Sequence, residues 1–188
     1  LTKHYITESE LKQLLDPDLV PWKYRIIYRI LYYSALRAGE LMKIKPKHLI
    51  RQTNNEDSRE EYFLLLEHQK NQEKNEYTPI RLEDYTILLD YCKQHDIKKN
   101  QLIFSNRQDI PHSVSWLNRQ LKKHCVKVGL NKPISSHSFR AGRVTSLKRK
   151  GLGYAEIAII TRHKNLKTLS DHYDKKIKSR AYEIVQNN

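Results

Sequence analysis

His137-Ser138-Phe139-Arg140 places an imidazole and a guanidinium three residues apart, on one face of any helix that contains them. Such a pair suits a phosphate: arginine offers a planar fork for two oxygens, and histidine adds one directed N–H. The same spacing fits an ordinary surface helix, so the pair alone decides nothing. Arg37 is a second unusual position. It follows the apolar residues Ile30, Leu31, Ala35 and Leu36 and precedes Ala38-Gly39-Glu40-Leu41. An arginine in that setting either snorkels to solvent or is aimed at a ligand, and Glu40 is placed to hold its guanidinium. A purely structural Arg37–Glu40 ion pair fits equally well. Lys70 lies in the polar stretch Glu67-His68-Gln69-Lys70-Asn71, with Lys74 in the same expected turn. His163 ends the run Thr161-Arg162-His163, and Tyr173 follows ten residues later.

The order of the set is more specific than any member of it. Arg37, Lys70, His137-x-x-Arg140, His163 and Tyr173 together resemble the signature of the tyrosine recombinases, or phage-type integrases. Ala35–Leu41 resembles that family's first arginine motif, Glu40 included. Ser136–Arg140 resembles the second, and His163–Tyr173 the last. The resemblance extends over roughly residues 5–180. It departs at Arg162, where glycine is usual before the histidine, and at Ala141, where a histidine often follows the second arginine. The interval from His163 to Tyr173 is also one residue longer than in many members.

The resemblance implies metal-free, cofactor-free strand cleavage and rejoining. Tyr173 would attack a phosphodiester, form a 3′-phosphotyrosyl bond and release a 5′-hydroxyl. A tyrosine hydroxyl has a pKa of about 10 and is a weak nucleophile at neutral pH, so neighbouring positive charge must favour its phenolate. Arg37 and Arg140 would clamp the non-bridging oxygens, Lys70 would protonate the leaving oxygen, and His137 would help accept the tyrosine proton. His163 would donate to a phosphate oxygen, and Glu40 would support Arg37. Tyr154 and Tyr182 also lie in the C-terminal part, but Tyr173 alone has the family's spacing from His163. The implied partners are double-stranded DNA and further copies of the chain in a synaptic tetramer, in a cytoplasmic, DNA-associated setting. The chain begins at Leu1, so a separate N-terminal DNA-binding domain is expected upstream or removed. A DNA-binding accessory protein without catalysis and a type IB topoisomerase are the competing readings.

These side chains need a frame to hold them. Thr7-Glu8-Ser9-Glu10 is a capping box opening a helix with Leu11, Leu14 and Leu15 inward. Pro21 suits the first turn of a second helix, which the apolar stripe carries to about Leu36. Ala38 to Met42 reads as one more turn. Three short β-prone runs follow, Lys47–Arg51, Tyr62–Glu67 and Tyr77–Leu82, and predict a small antiparallel sheet. Helical spacing returns over 83–96, and Leu102–Phe104 is a short extended piece. Val114, Leu117, Leu121, Cys125 and Val128 form the strongest helical stripe, ended by Gly129. Ser135 or Ser136 caps a helix to about Lys150, Tyr154–Thr161 is a shorter helix, and Leu166–Tyr173 is another candidate. The expected fold is therefore α+β and mainly helical: one catalytic domain, 1–173, with a three-stranded antiparallel sheet near its middle. Residues 174–188 form a polar tail, docking in cis or in trans.

Composition narrows the partner. The chain has 188 residues and a net charge of +14. Residues 101–150 hold 11 basic side chains against one acidic, most of the excess. Such a block points to a polyanion, nucleic acid above all. Within it Arg119, Lys122, Lys123 and Lys127 lie off the apolar stripe, and Arg143 continues the basic run after Arg140, so these five are the expected DNA contacts. Asn118, Arg119, Gln120 and Lys123 are possible base readers. Cys92 and Cys125 match no metal or redox spacing and read as packing residues. No stretch approaches the roughly 18 apolar residues of a membrane span.

Overall fold

Thr7 opens α1 (Glu8–Leu14) as a capping box: its hydroxyl accepts the Glu10 N–H at 3.2 Å, and the Glu10 carboxylate accepts the Thr7 N–H at 2.8 Å. The computed structural model describes residues 4–54, 56, 58–67 and 75–162. Beyond α1 they form α2 (Trp22–Tyr33), α3 (Ala38–Leu41), a 3₁₀ turn at Pro46–His48 and strands β1 (Leu49–Thr53), β2 (Glu60–Leu66) and β3 (Glu76–Pro79). Then follow α4 (Leu82–Gln94), α5 (Val114–Lys127), α6 (Ser136–Arg149) and α7 (Tyr154–Thr161). The sheet is antiparallel in the order β1-β2-β3, with Leu64 opposite both Leu49 and Thr78. The three-stranded sheet and the helices expected up to Thr161 are present. The expected Leu166–Tyr173 helix and the 174–188 tail lie outside the described residues.

Several boundaries differ from the expected ones. Helix α2 stops at Tyr33 instead of Leu36. Ala35 there takes a left-handed conformation, φ 49°, and its carbonyl accepts Arg140 Nη1 at 2.6 Å. A contact from across the chain thus overrides an apolar pattern that would have continued the helix. Strand β1 starts late because Pro46 favours a turn, which the Lys45 N–H closes onto His48 Nδ1 at 3.2 Å. Strand β3 ends at Pro79 because Arg81 forks onto Asp84 at 2.7 and 2.8 Å and starts α4. The Leu102–Phe104 piece, expected to be extended, turns at Ile103 and Phe104; all three side chains are buried, and the Ile103 N–H donates to the Ile44 carbonyl at 2.9 Å.

One large core joins α1 to α6 and the inner face of the sheet, and a smaller one packs Val144 and Leu147 of α6 on Ile157 and Ala158 of α7. Helix α6 runs through both. Phe139 stacks on Tyr28 of α2, ring centroids 5.3 Å apart, and the Tyr28 hydroxyl is hydrogen-bonded to His124 Nδ1 of α5 at 2.7 Å. That packing fixes which side of α6 faces inward. Among the described residues no helix is long and apolar enough to cross a membrane.

Cys92 and Cys125 are buried and free, as their spacing suggested, and burial pushes both thiols up to about 11. At pH 7.5 only about one in a few thousand such thiols is ionised. Ellman's reagent is expected to leave both unlabelled in the folded protein and to titrate both after unfolding. Rapid labelling of either in native buffer would contradict this burial.

Candidate active site

Helix α6 begins at the site. Ser135 is its N-cap residue, its N–H donating to Ser138 Oγ at 3.1 Å, and the Ser136 N–H donates to Asn118 Oδ1 of α5 at 2.8 Å. The Asn118 side-chain oxygen thus joins two helices. With Phe139 turned into the core, His137 and Arg140 face the same open cavity of about 830 Å³. His137 is exposed, whereas Arg140 is 3% exposed.

Arg37 reaches the same cavity from the other end of the chain. The break after α2 leaves Arg37 extended as the N-cap residue of α3, φ −75° and ψ 144°. Its N–H donates to Glu40 Oε2 at 2.7 Å and its Nη1 to Glu40 Oε1 at 2.8 Å. Glu40 thus caps the helix and holds the guanidinium, as its spacing suggested, while Arg37 remains 54% exposed. Arg37, Glu40, His137 and Arg140 all line the cavity.

The strand ends border it too. Leu66 pairs with Glu76, and both line the cavity with Glu67. Glu67 accepts from Lys47 at 2.6 Å and lies 3.1 Å from His48 Nε2, and these two partners hold its carboxyl below the usual range. Burial pulls the His48 imidazole below the ordinary histidine range, and Glu67 opposes the shift. Lys70 and Lys74 belong to the segment 68–74 between these strand ends, outside the described residues; His163 and Tyr173 also lie outside them.

The proposed duplex contacts fall into two groups. Arg119, Lys122, Lys123 and Lys127 are exposed on α5, opposite the buried Leu117, Leu121, His124 and Cys125. Arg143 is half-buried, its guanidinium 5.7 Å from the Tyr33 ring, which Arg81 also covers at 3.3 Å. Burial holds the Arg143 guanidinium below the usual arginine range. It packs on the inner side of α6, apart from the exposed row of α5.

Two residues beside the cavity had no assigned role in the sequence. His48 is one. Arg162 is the other: its Nη2 donates to Glu40 Oε2 at 2.6 Å and its Nη1 to Thr78 Oγ1 at 2.9 Å. The sequence signal was present, since Arg162 stands where the recombinase pattern has glycine.

Solved structures show the same arrangement of helices round a three-stranded sheet. XerA recombinase aligns with a TM-score of 0.74 at 20% identity, covering 95% of this chain and 64% of that one. XerH site-specific recombinase, solved bound to palindromic difH substrate as a post-cleavage complex, gives 0.75 at 18%, covering 99% and 54%. A lambda integrase dimer bound to a COC′ core site gives 0.67 at 17%, covering 94% and 49%. The fold is that of the tyrosine recombinase catalytic domain, and the chain spans about half to two-thirds of the length of these proteins. The chain itself belongs to the phage integrase family, which it matches over residues 4–180. No curated protein matches it.

Proposed function

We propose that this domain cuts and rejoins double-stranded DNA as the catalytic part of a site-specific recombinase or integrase. The observation that carries the reading is the meeting of Arg37 with His137 and Arg140 at one cavity, although 100 residues of chain separate Arg37 from His137. Two guanidiniums and an imidazole at one open site suit a phosphodiester whose non-bridging oxygens gain charge in the transition state. In this reading the Tyr173 oxygen bonds to phosphorus as the bond from phosphorus to the 5′-oxygen breaks. His137 accepts the tyrosine proton, Lys70 delivers a proton to the leaving 5′-oxygen, and His163 donates to a non-bridging oxygen. Attack by a second strand's 5′-hydroxyl reverses the step and frees Tyr173, with no net consumption of bond energy.

The exposed row Arg119, Lys122, Lys123 and Lys127 supports a duplex track along α5, whose binding weakens as salt rises. Family membership supports assembly of several copies on DNA in the cytoplasm, with the 174–188 segment docking on its own or a neighbouring subunit.

A suicide duplex, nicked so that the cleaved end diffuses away, tests the reading. Without added metal, a covalent protein–DNA adduct is expected on a denaturing gel, with the DNA mapped to the Tyr173 peptide by mass spectrometry. Absence of an adduct favours the accessory DNA-binding protein, and an adduct on Tyr154 or Tyr182 overturns the nucleophile. Relaxation of supercoils without strand exchange favours the topoisomerase.

A further inference from the structure

We propose that Arg162 is a positioning residue for Arg37, acting through the Glu40 carboxylate that both share, so that Arg37 is not fully neutralised where it faces the cavity. The inference rests on the recombinase reading only for what the cavity binds in the reaction.

One carboxylate serves two guanidiniums here. Glu40 Oε1 accepts from Arg37 Nη1 at 2.8 Å, while Oε2 accepts from Arg162 Nη2 at 2.6 Å and from the Arg37 N–H at 2.7 Å. Exposure is graded across the three: the side chains of Arg162, Glu40 and Arg37 are 8%, 16% and 54% exposed. The two inner groups are shielded from water and the outer one faces the cavity. A single Arg37–Glu40 pair would be neutral overall and would attract an anion weakly. The second guanidinium shares the Glu40 carboxylate, so Arg37 is not its only counter-ion; with Glu76, 3.5 Å from Arg162 Nε, the four side chains balance, and Arg37 is their exposed cation.

Arg162 is costly where it stands, which argues for a task. Its backbone is left-handed, φ 55° and ψ 43°, as the C-cap residue of α7, a place where glycine adopts that conformation without strain. Burying a guanidinium carries a desolvation penalty as well, and burial pulls the Arg162 group down from the ordinary arginine range while Glu40 opposes the shift. Strain and desolvation at one residue persist only where surrounding contacts offset them. Here those contacts come from two other elements: Glu40 in α3, and Thr78 Oγ1 at 2.9 Å in β3. Arg162 Nε also lies 3.5 Å from Glu76 Oε2, beside the cavity. Arg162 therefore ties the exit of α7 to both β3 and the Arg37 turn.

Arg162→Gly removes the charge and relieves the left-handed strain, so the melting temperature should change little. Arg37 is then left to Glu40 alone, with the Glu76 carboxylate beside the cavity no longer balanced by Arg162. Inorganic phosphate, titrated into the protein and followed by the guanidinium NMR signal of Arg37, should bind about tenfold more weakly to Arg162→Gly. Arg162→Lys keeps the charge and should recover most of that loss. Cleavage of a suicide duplex by Arg162→Gly should slow about tenfold at saturating DNA, and the deficit should shrink when a methylphosphonate removes the charge of the scissile phosphate.

Equal phosphate affinity in wild type and Arg162→Gly would overturn the proposal, whatever the cleavage assay gives. So would a cleavage deficit of the same size on phosphate and methylphosphonate, the mark of a merely structural role. A wild-type protein that forms no DNA adduct, yet loses phosphate affinity on Arg162→Gly, would overturn the recombinase reading and leave this one standing.

Discussion

Arg140→Ala is expected to slow DNA cleavage by about a thousandfold while changing DNA affinity by only about threefold. The asymmetry follows from burial. Arg140 is 3% exposed, yet it lines the cavity beside His137 and Arg37. A guanidinium removed from water needs no solvent rearrangement when charge develops on a phosphate, and it acts in a weakly screened setting. The exposed residues Arg119, Lys122, Lys123 and Lys127 carry ordinary duplex affinity in this reading, so loss of one buried charge falls mainly on the transition state. Arg140→Lys should restore charge without the fork and recover part of the rate. The substitution also removes the donor to the Ala35 carbonyl, the contact that accompanies the left-handed turn at φ 49° and sets Arg37 at the head of α3. Part of the deficit therefore reflects a displaced Arg37. Single-turnover cleavage at saturating DNA, beside equilibrium binding, separates these effects. A rate within tenfold of wild type would remove Arg140 from the reaction centre.

The same contact shows where sequence legibility ends. Local chemistry was readable: the Thr7–Glu10 capping box, the α5 stripe ending at Gly129, and the Arg37–Glu40 spacing all appear as expected. Each depends on residues within a few turns of one another. The α2 terminus was not readable, because Ile30, Leu31 and Leu36 continue an apolar pattern that only Arg140, 105 residues on, interrupts. Arg162 was visible as an anomaly and not as a partner, since Thr78 and Glu40 lie 84 and 122 residues away. The tie from the Ser136 N–H to Asn118 Oδ1 was equally illegible, since a polar residue on a basic helix carries no mark of a neighbour 18 residues away. Conversely, the order of Arg37, His137 and Arg140 was informative because a shared cavity constrains residue types at distant positions at once.

Gly142→Ala is expected to destabilise the fold by about 3 kcal/mol, although alanine is the better helix former by about 1 kcal/mol. Gly142 lies inside α6, two residues beyond Arg140, and nothing in the sequence distinguishes it from a glycine that alanine would improve. The chain before α1 crosses that point of the helix, held by the Ile6 N–H donating to the Ser138 carbonyl at 3.1 Å. A Cβ on residue 142 would lie 2.0 Å from the Ile6 carbonyl oxygen and 3.0 Å from Tyr32 Cε2. The first distance cannot exist, and the obstacle is backbone, which has no rotamer to change. Either the crossing segment lifts, exposing the fully buried Ile6 and breaking its hydrogen bond, or α6 shifts with His137 and Arg140 on it. Both routes exceed the gain in helix propensity. For a domain of this size the melting temperature should fall by roughly 6–12 °C. Hydrogen exchange distinguishes the routes: faster exchange at the Ile6 amide marks the lifted segment, with cleavage largely kept, whereas a protected Ile6 amide with impaired cleavage marks a moved α6. A melting temperature within about 2 °C of wild type would mean that the N-terminal segment does not cross α6 at Gly142.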